Sequence, residues 1–167
     1  MRPSKIKLAT AVDTWWVPAS FVYIMLKGKA YTNNPKTVER FNATEDNKDR
    51  VHETIHVRQA VSIKDSWLRF YLEYLWEWLR NLPLITVKWH AAYKFMPMEL
   101  EAYCCQNQPE YIDREMCDAW KDFKEIPVKT LKQYAKLWYK GDGDGPYIYK
   151  MTFSEFIKKY ITKHLPE

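Results

Sequence analysis

Two histidines four residues apart, the first followed directly by a glutamate, make one HExxH segment in this chain: His52-Glu53-Thr54-Ile55-His56. On an α-helix, residues i and i+4 lie about 40° apart around the axis and one turn along it, so both imidazoles face one position. Tetrahedral zinc takes nitrogen donors at about 2.0–2.1 Å, and two such histidines supply half of its coordination sphere. Glu53, about 100° around the helix from His52, can reach a metal-bound water and act as its general base. At the histidine and glutamate frequencies of this chain, a chance match is expected in roughly one such sequence in a hundred. His52 and His56 are thus expected metal ligands, and Glu53 an expected catalytic residue.

A third ligand should come from another element downstream. Glu99, in Pro97-Met98-Glu99-Leu100-Glu101-Ala102-Tyr103, is the best placed. Pro97 suits a first helical position, and acidic residues favour the first turn. Glu101 lies about 200° around the same helix from Glu99, so the two carboxylates cannot both face the metal. Tyr103 is one turn beyond Glu99 on the same face, where its hydroxyl could hydrogen-bond a ligand or the reacting oxygen. His90 and Tyr93 precede this helix and are further candidates for stabilising an oxyanion. A lone histidine such as His90 also has an ordinary structural reading.

The segments HETIHVRQ and PMELEAY, separated by a long aromatic helix, resemble a group of small zincin-like, gluzincin-like metallopeptidases of Bacteroidetes and their phages. The pattern of that group is roughly HExIHxRQ followed by FExEAY. In gluzincin peptidases the HExxH pair is completed by the first glutamate of a downstream helix. The resemblance covers about residues 50 to 120 and implies Zn²⁺ held by His52, His56 and Glu99, with Glu53 as base. Met98 departs from the usual Phe, and Tyr103 stands where better-known gluzincins carry a supporting Asp. The activity implied is hydrolysis of a peptide or protein substrate. A structural subunit of a phage virion or other large assembly, retaining a zinc site, is the alternative.

The elements that must position these residues follow from the pattern of the chain. Asp46 or Asn47 is expected to cap a helix running through His56 to about Ile63. A second helix, Trp67 to Arg80, carries Leu68, Tyr71, Leu72, Leu75, Trp76 and Leu79 at three–four spacing, which predicts a buried stripe backing the metal helix. The Glu99 helix should end near Asn107, with further helices over Tyr111–Lys124 (Met116 and Trp120 inward) and Thr130–Tyr139. Thr152-Phe153-Ser154-Glu155 reads as a capping box that starts a last helix, to about His164. Phe21–Leu26 and Ala30–Tyr31 read as a β-hairpin beside the metal cleft, where an extended peptide could add as a strand. A plain structural hairpin fits the same residues. Asn33–Asp49 reads as polar loop, and Asn42-Ala43-Thr44 within it as an incidental sequon. Gly141–Gly145 only superficially resembles a calcium loop, since the bidentate glutamate and regular ligand spacing are missing. The expected fold is mainly α (α+β): one zincin-like domain over residues 1–167, with an N-terminal arm at 1–14 and a C-terminal helical extension at 125–167.

Composition sets the remaining bounds. The 167 residues are 47% hydrophobic and 16% aromatic, with eight Trp and twelve Tyr; that aromatic surplus suits either a core or a protein–protein interface. The N-terminal arm and the C-terminal helix are expected to contact neighbouring chains in an oligomer. Net charge is +5 from 26 basic and 21 acidic residues, too dispersed to argue for nucleic acid in the absence of a recognition module. Adjacent Cys104 and Cys105 with Cys117 give neither a disulfide framework nor a CxxC metal site. The sequence reads as lacking a signal peptide, and Trp15–Leu26 falls short of the roughly 20 residues a membrane span needs. A cytoplasmic protein or phage-particle component without a membrane span is expected.

Overall fold

The computed structural model describes residues 10–13, 24–26, 29–32, 34–140 and 151–166. It is mainly helical, with a three-stranded sheet among the described residues. The elements fall into two compact units, one of Met1–Trp67 with Gln106–Cys117, the other of Leu68–Cys105 with Asp118–Glu167.

In the first unit, β1 (Thr10–Asp13) runs parallel to β3 (Lys29–Thr32), and β2 (Ile24–Leu26) pairs with β3 antiparallel. The expected hairpin is therefore present as β2–β3, although residues 21–23, 27 and 28 lie outside the described residues. The four residues of β1 come from the segment expected as an arm; residues 1–9 and 14 are outside the described set. Ala30, on the central strand, packs with Phe41 and Val57.

The stretch read as polar loop instead contains a helix, α1 (Pro35–Ala43), and the sequon residue Asn42 lies within it. Its start is local chemistry: the Asn34 side chain accepts from the backbone N–H groups of Lys36 (3.0 Å) and Thr37 (3.3 Å), and Pro35 has no N–H to satisfy. Phe41 then buries on the core while Val38, three residues earlier, packs beside it. Few apolar residues are needed for such a short helix once the cap is made.

Helix α2 (Lys48–Ser62) starts at Asn47, whose side chain accepts from Asp49 N–H at 3.0 Å. It ends before Lys64 and Asp65, both in the left-handed region with φ of 58° and 50°. Val51 through Val57 are all buried, a run that includes His52, Glu53, Thr54 and His56. Buried polar groups require partners or a metal. The Thr54 hydroxyl meets this by donating to the Arg50 carbonyl at 2.7 Å. The Arg58 side chain donates to the Ile112 carbonyl at 3.2 Å, tying the 3₁₀ turn Pro109–Asp113 to α2.

The second unit begins with most of α3 (Trp67–Arg80), whose bounds match the sequence expectation but whose orientation does not. Leu68 is 70% exposed and Trp76 59%, and Leu72, Leu75 and Leu79 are exposed as well. The inward row is Phe70, Tyr74, Glu77 and Asn81, two residues out of phase with the apolar one and so about 200° around the helix. Each polar member has a built partner. The Tyr74 hydroxyl donates to Glu99, Glu77 pairs with Lys124 (3.1 Å) and Arg80 (3.3 Å), and the Asn81 amide donates to the carbonyls of Ala92 and Phe95. Hydropathy alone points to the other row, because it scores these three as solvent-facing.

Helix α4 (Ala91–Lys94) leads into α5 (Pro97–Cys105), whose residues Pro97 through Ala102 are all buried. No single helix covers Tyr111–Lys124. Arg114 is extended, Met116 is 42% exposed, and α6 (Trp120–Lys124) starts afresh with Trp120 buried, as expected for that residue. The restart is fixed by Glu101, whose carboxylate accepts from the N–H groups of Ala119 (3.1 Å) and Trp120 (3.2 Å). Helix α7 (Val128–Trp138) and α8 (Phe153–Phe156), with its complete Thr152–Glu155 capping box, follow the sequence reading closely. The chain continues helically through Ile157–Ile161 in π geometry and Thr162–His164 in 3₁₀ geometry.

Phe153, Phe156, Ile157 and Ile161 sink into one cluster with Leu100, Leu131, Ala135 and Trp138. The apolar face of the C-terminal segment, expected to meet neighbouring chains, is thus spent on the core of its own unit. No disulfide joins the described cysteines Cys104, Cys105 and Cys117. No described helix is long and apolar enough to cross a membrane. Gly141–Gly145 lies outside the described residues.

Candidate metal centre

On α2 the two histidines of the motif face each other through Nε2 atoms 3.3 Å apart, both rings buried. Their Nδ1 atoms point elsewhere, to glutamine oxygens: His56 to Gln59 Oε1 at 2.8 Å, and His52 to Gln106 Oε1 at 3.2 Å. In the tautomer with the proton on Nδ1, each ring donates to its glutamine oxygen and turns the Nε2 lone pair toward the other ring. The pair is satisfied by an Nε2–H of one ring donating to the other or by a cation between them. For a tetrahedral zinc with nitrogen donors near 2.05 Å, the expected donor–donor separation is about 3.3 Å. The pair is spaced for such an ion.

Glu99, on the first turn of α5, is fully buried. Its Oε1 accepts from the Tyr74 hydroxyl at 2.5 Å, in the range of charge-assisted O–H···O⁻ bonds. Burial first, then the Glu99 carboxylate and the neighbouring Tyr93 hydroxyl, hold the Tyr74 phenol well above its usual range. It therefore remains the donor.

His52 and His56 on α2 and Glu99 on α5 are each buried within their own unit. Imidazole and carboxylate are donor types that zinc takes. Each of the three also meets a named partner through another atom: Gln106 for His52, Gln59 for His56, Tyr74 for Glu99. Such outer partners fix the tautomer and orientation of a metal ligand.

The other expected site residues are placed as follows. Glu53 is buried on α2 directly after His52. Glu101 is engaged at the start of α6, on the side of α5 that its 200° offset from Glu99 requires. Tyr103 packs edge-on against Phe153, with ring centroids 5.2 Å apart, and Lys94 Nζ stands over its ring at 5.8 Å; Tyr74 is a phenol hydrogen-bonded to Glu99. His90 lies between the rings of Trp89 and Tyr139, in edge contacts of 5.0 and 5.3 Å. Of the residues missed in the sequence, Gln59 had a local signal, three positions after His56 on the same helix. Gln106 and Tyr74 had none, being 54 and 25 residues from the side chains they hold. The chain matches no protein-family model, no curated protein and no solved structure.

Proposed function

We propose that this chain is a zinc-dependent metallopeptidase of minimal gluzincin type, with a zincin-like arrangement built around α2. The His52 and His56 imidazoles, facing each other through Nε2 atoms 3.3 Å apart on the HExxH helix, are the observation that carries this reading, with Glu99 proposed as the third ligand. His52, His56 and Glu99 would hold the zinc ion, which would supply Lewis acidity toward a substrate carbonyl and water. Glu53 takes the proton from the attacking water and passes it to the leaving amine. Gln59 and Gln106 keep the imidazoles in the tautomer that presents Nε2. The substrate is a peptide or protein segment, for which β2, at one edge of the sheet, offers main-chain pairing. The test is cleavage of an unbiased peptide mixture by zinc-loaded protein beside its Glu53→Gln variant. The reading requires turnover that disappears in the variant while zinc content stays the same. Zinc loss in the variant, or equal turnover, contradicts the role of Glu53.

A second reading, a structural subunit of a larger assembly such as a phage particle, draws support from the exposed row Leu68, Leu72, Leu75, Trp76 and Leu79 on α3. Apolar side chains contiguous on one helix face are a feature of interfaces. Solution mass tests it: a concentration-independent monomer rules out self-assembly through this face.

A further inference from the structure

We propose that Tyr74 is a positioning residue that makes Glu99 a one-oxygen metal ligand, by donating its hydroxyl hydrogen to Oε1. The inference rests on the metal-centre reading above and adds a residue that no motif contains. A carboxylate only accepts, so the direction of the 2.5 Å bond is settled: Tyr74 gives and Glu99 receives. Burial of Glu99 makes the bond consequential, because a carboxylate removed from water depends on its few donors for both charge and orientation. The donor is itself held. Tyr74 rides on the inward row of α3, its ring 5.7 Å from that of buried Phe70 and its hydroxyl against that of Tyr93. Two helices thus fix the two ends of one short bond, which stops the carboxyl group from rotating. With Oε1 engaged, Oε2 is the oxygen presented to the ion. A one-oxygen glutamate keeps three protein donors on zinc and leaves a position for water or substrate, whereas a two-oxygen glutamate would fill it.

The experiment is Co²⁺ titration of metal-free wild type and Tyr74→Phe, followed by visible absorption, with circular dichroism to verify that both fold. The expected result is one Co²⁺ per wild-type chain with intense four-coordinate bands. In Tyr74→Phe, affinity should fall about 10- to 100-fold, and the bands should weaken as the released carboxylate brings in its second oxygen. Equal affinity and an unchanged spectrum in the variant overturn the inference while leaving the metal centre standing. Failure of the wild type to bind Co²⁺ overturns the metal centre itself, and the inference with it. Should Tyr74→Phe fail to fold, infrared difference spectra of wild type with and without Zn²⁺ decide. A wide separation of the carboxylate stretches, the one-oxygen signature, supports the assignment, and a narrow two-oxygen separation overturns it.

Discussion

His52 and His56 bring their Nε2 atoms to 3.3 Å, while each ring turns its Nδ1 atom to a glutamine oxygen. The facing Nε2 atoms are satisfied by a proton on one of them or by a cation between them. In the metal-binding reading proposed above, the two amides hold both rings in the tautomer that presents Nε2.

Replacing either amide should therefore weaken metal binding without removing a ligand. Gln59→Leu and Gln106→Leu are each expected to lower zinc affinity about 10- to 100-fold, read by competition with a chromophoric chelator. The larger effect is expected for Gln59, whose 2.8 Å contact is the shorter. Wild-type affinity in both variants would mean that the amides do not orient the rings.

Glu101 should behave as a structural residue despite lying two positions from a proposed ligand. Its carboxylate anchors the first N–H groups of α6, so Glu101→Gln is expected to cost about 1–3 kcal/mol of stability with zinc stoichiometry unchanged. Urea unfolding and metal analysis on one preparation check both halves. Zinc loss with full stability would put Glu101, not Glu99, at the metal.

The two faces of α3 should respond oppositely to mutation. Leu72→Ser and Leu75→Ser alter exposed side chains and are expected to change stability by no more than about 0.5 kcal/mol. Phe70→Ala empties a buried position and should cost about 3–5 kcal/mol. If the serine variants lose several kcal/mol, their side chains are covered in solution. A loss that appears only at high protein concentration would favour the assembly reading.

Glu77 gives a pH signature. Burial raises its carboxyl above the usual range, and Lys124 and Arg80 offset only part of that rise. A carboxyl whose folded pKa is raised binds more protons in the folded state than in the unfolded one. Its contribution is thus full below the ordinary glutamate value and is lost as pH climbs through the raised one. Glu77→Gln should accordingly flatten the stability profile over that mildly acidic window. An identical slope in wild type and variant would show that Glu77 titrates normally.

Helix α2 was the most legible part of the sequence because its information is local. The cap at Asn47, the HExxH spacing and the stop near Ile63 all lie within about one helix length. The bounds of α3 were legible for the same reason, but its inward face was not. Two rows of identical spacing compete there, and the row with greater hydropathy faces out, since Tyr74, Glu77 and Asn81 find partners on segments far along the chain. Helix α1 went unread because its inward face consists of only two apolar residues, Val38 and Phe41, in an otherwise polar stretch. At the candidate site, residue types and spacing pointed to His52, His56, Glu53 and Glu99. The residues that hold those ligands did not stand out, because a hydrogen bond spanning 54 positions leaves no periodic trace.

The most direct test of the central claim is metal content per chain, by mass spectrometry of the elements in protein purified, loaded with Zn²⁺ and freed of excess. The account predicts one zinc per wild-type chain and loss of that zinc from His52→Ala, His56→Ala and Glu99→Ala, each of which removes one of the three proposed ligands. Wild type that emerges without zinc, or a His52→Ala/His56→Ala double variant that retains a full equivalent, would contradict it.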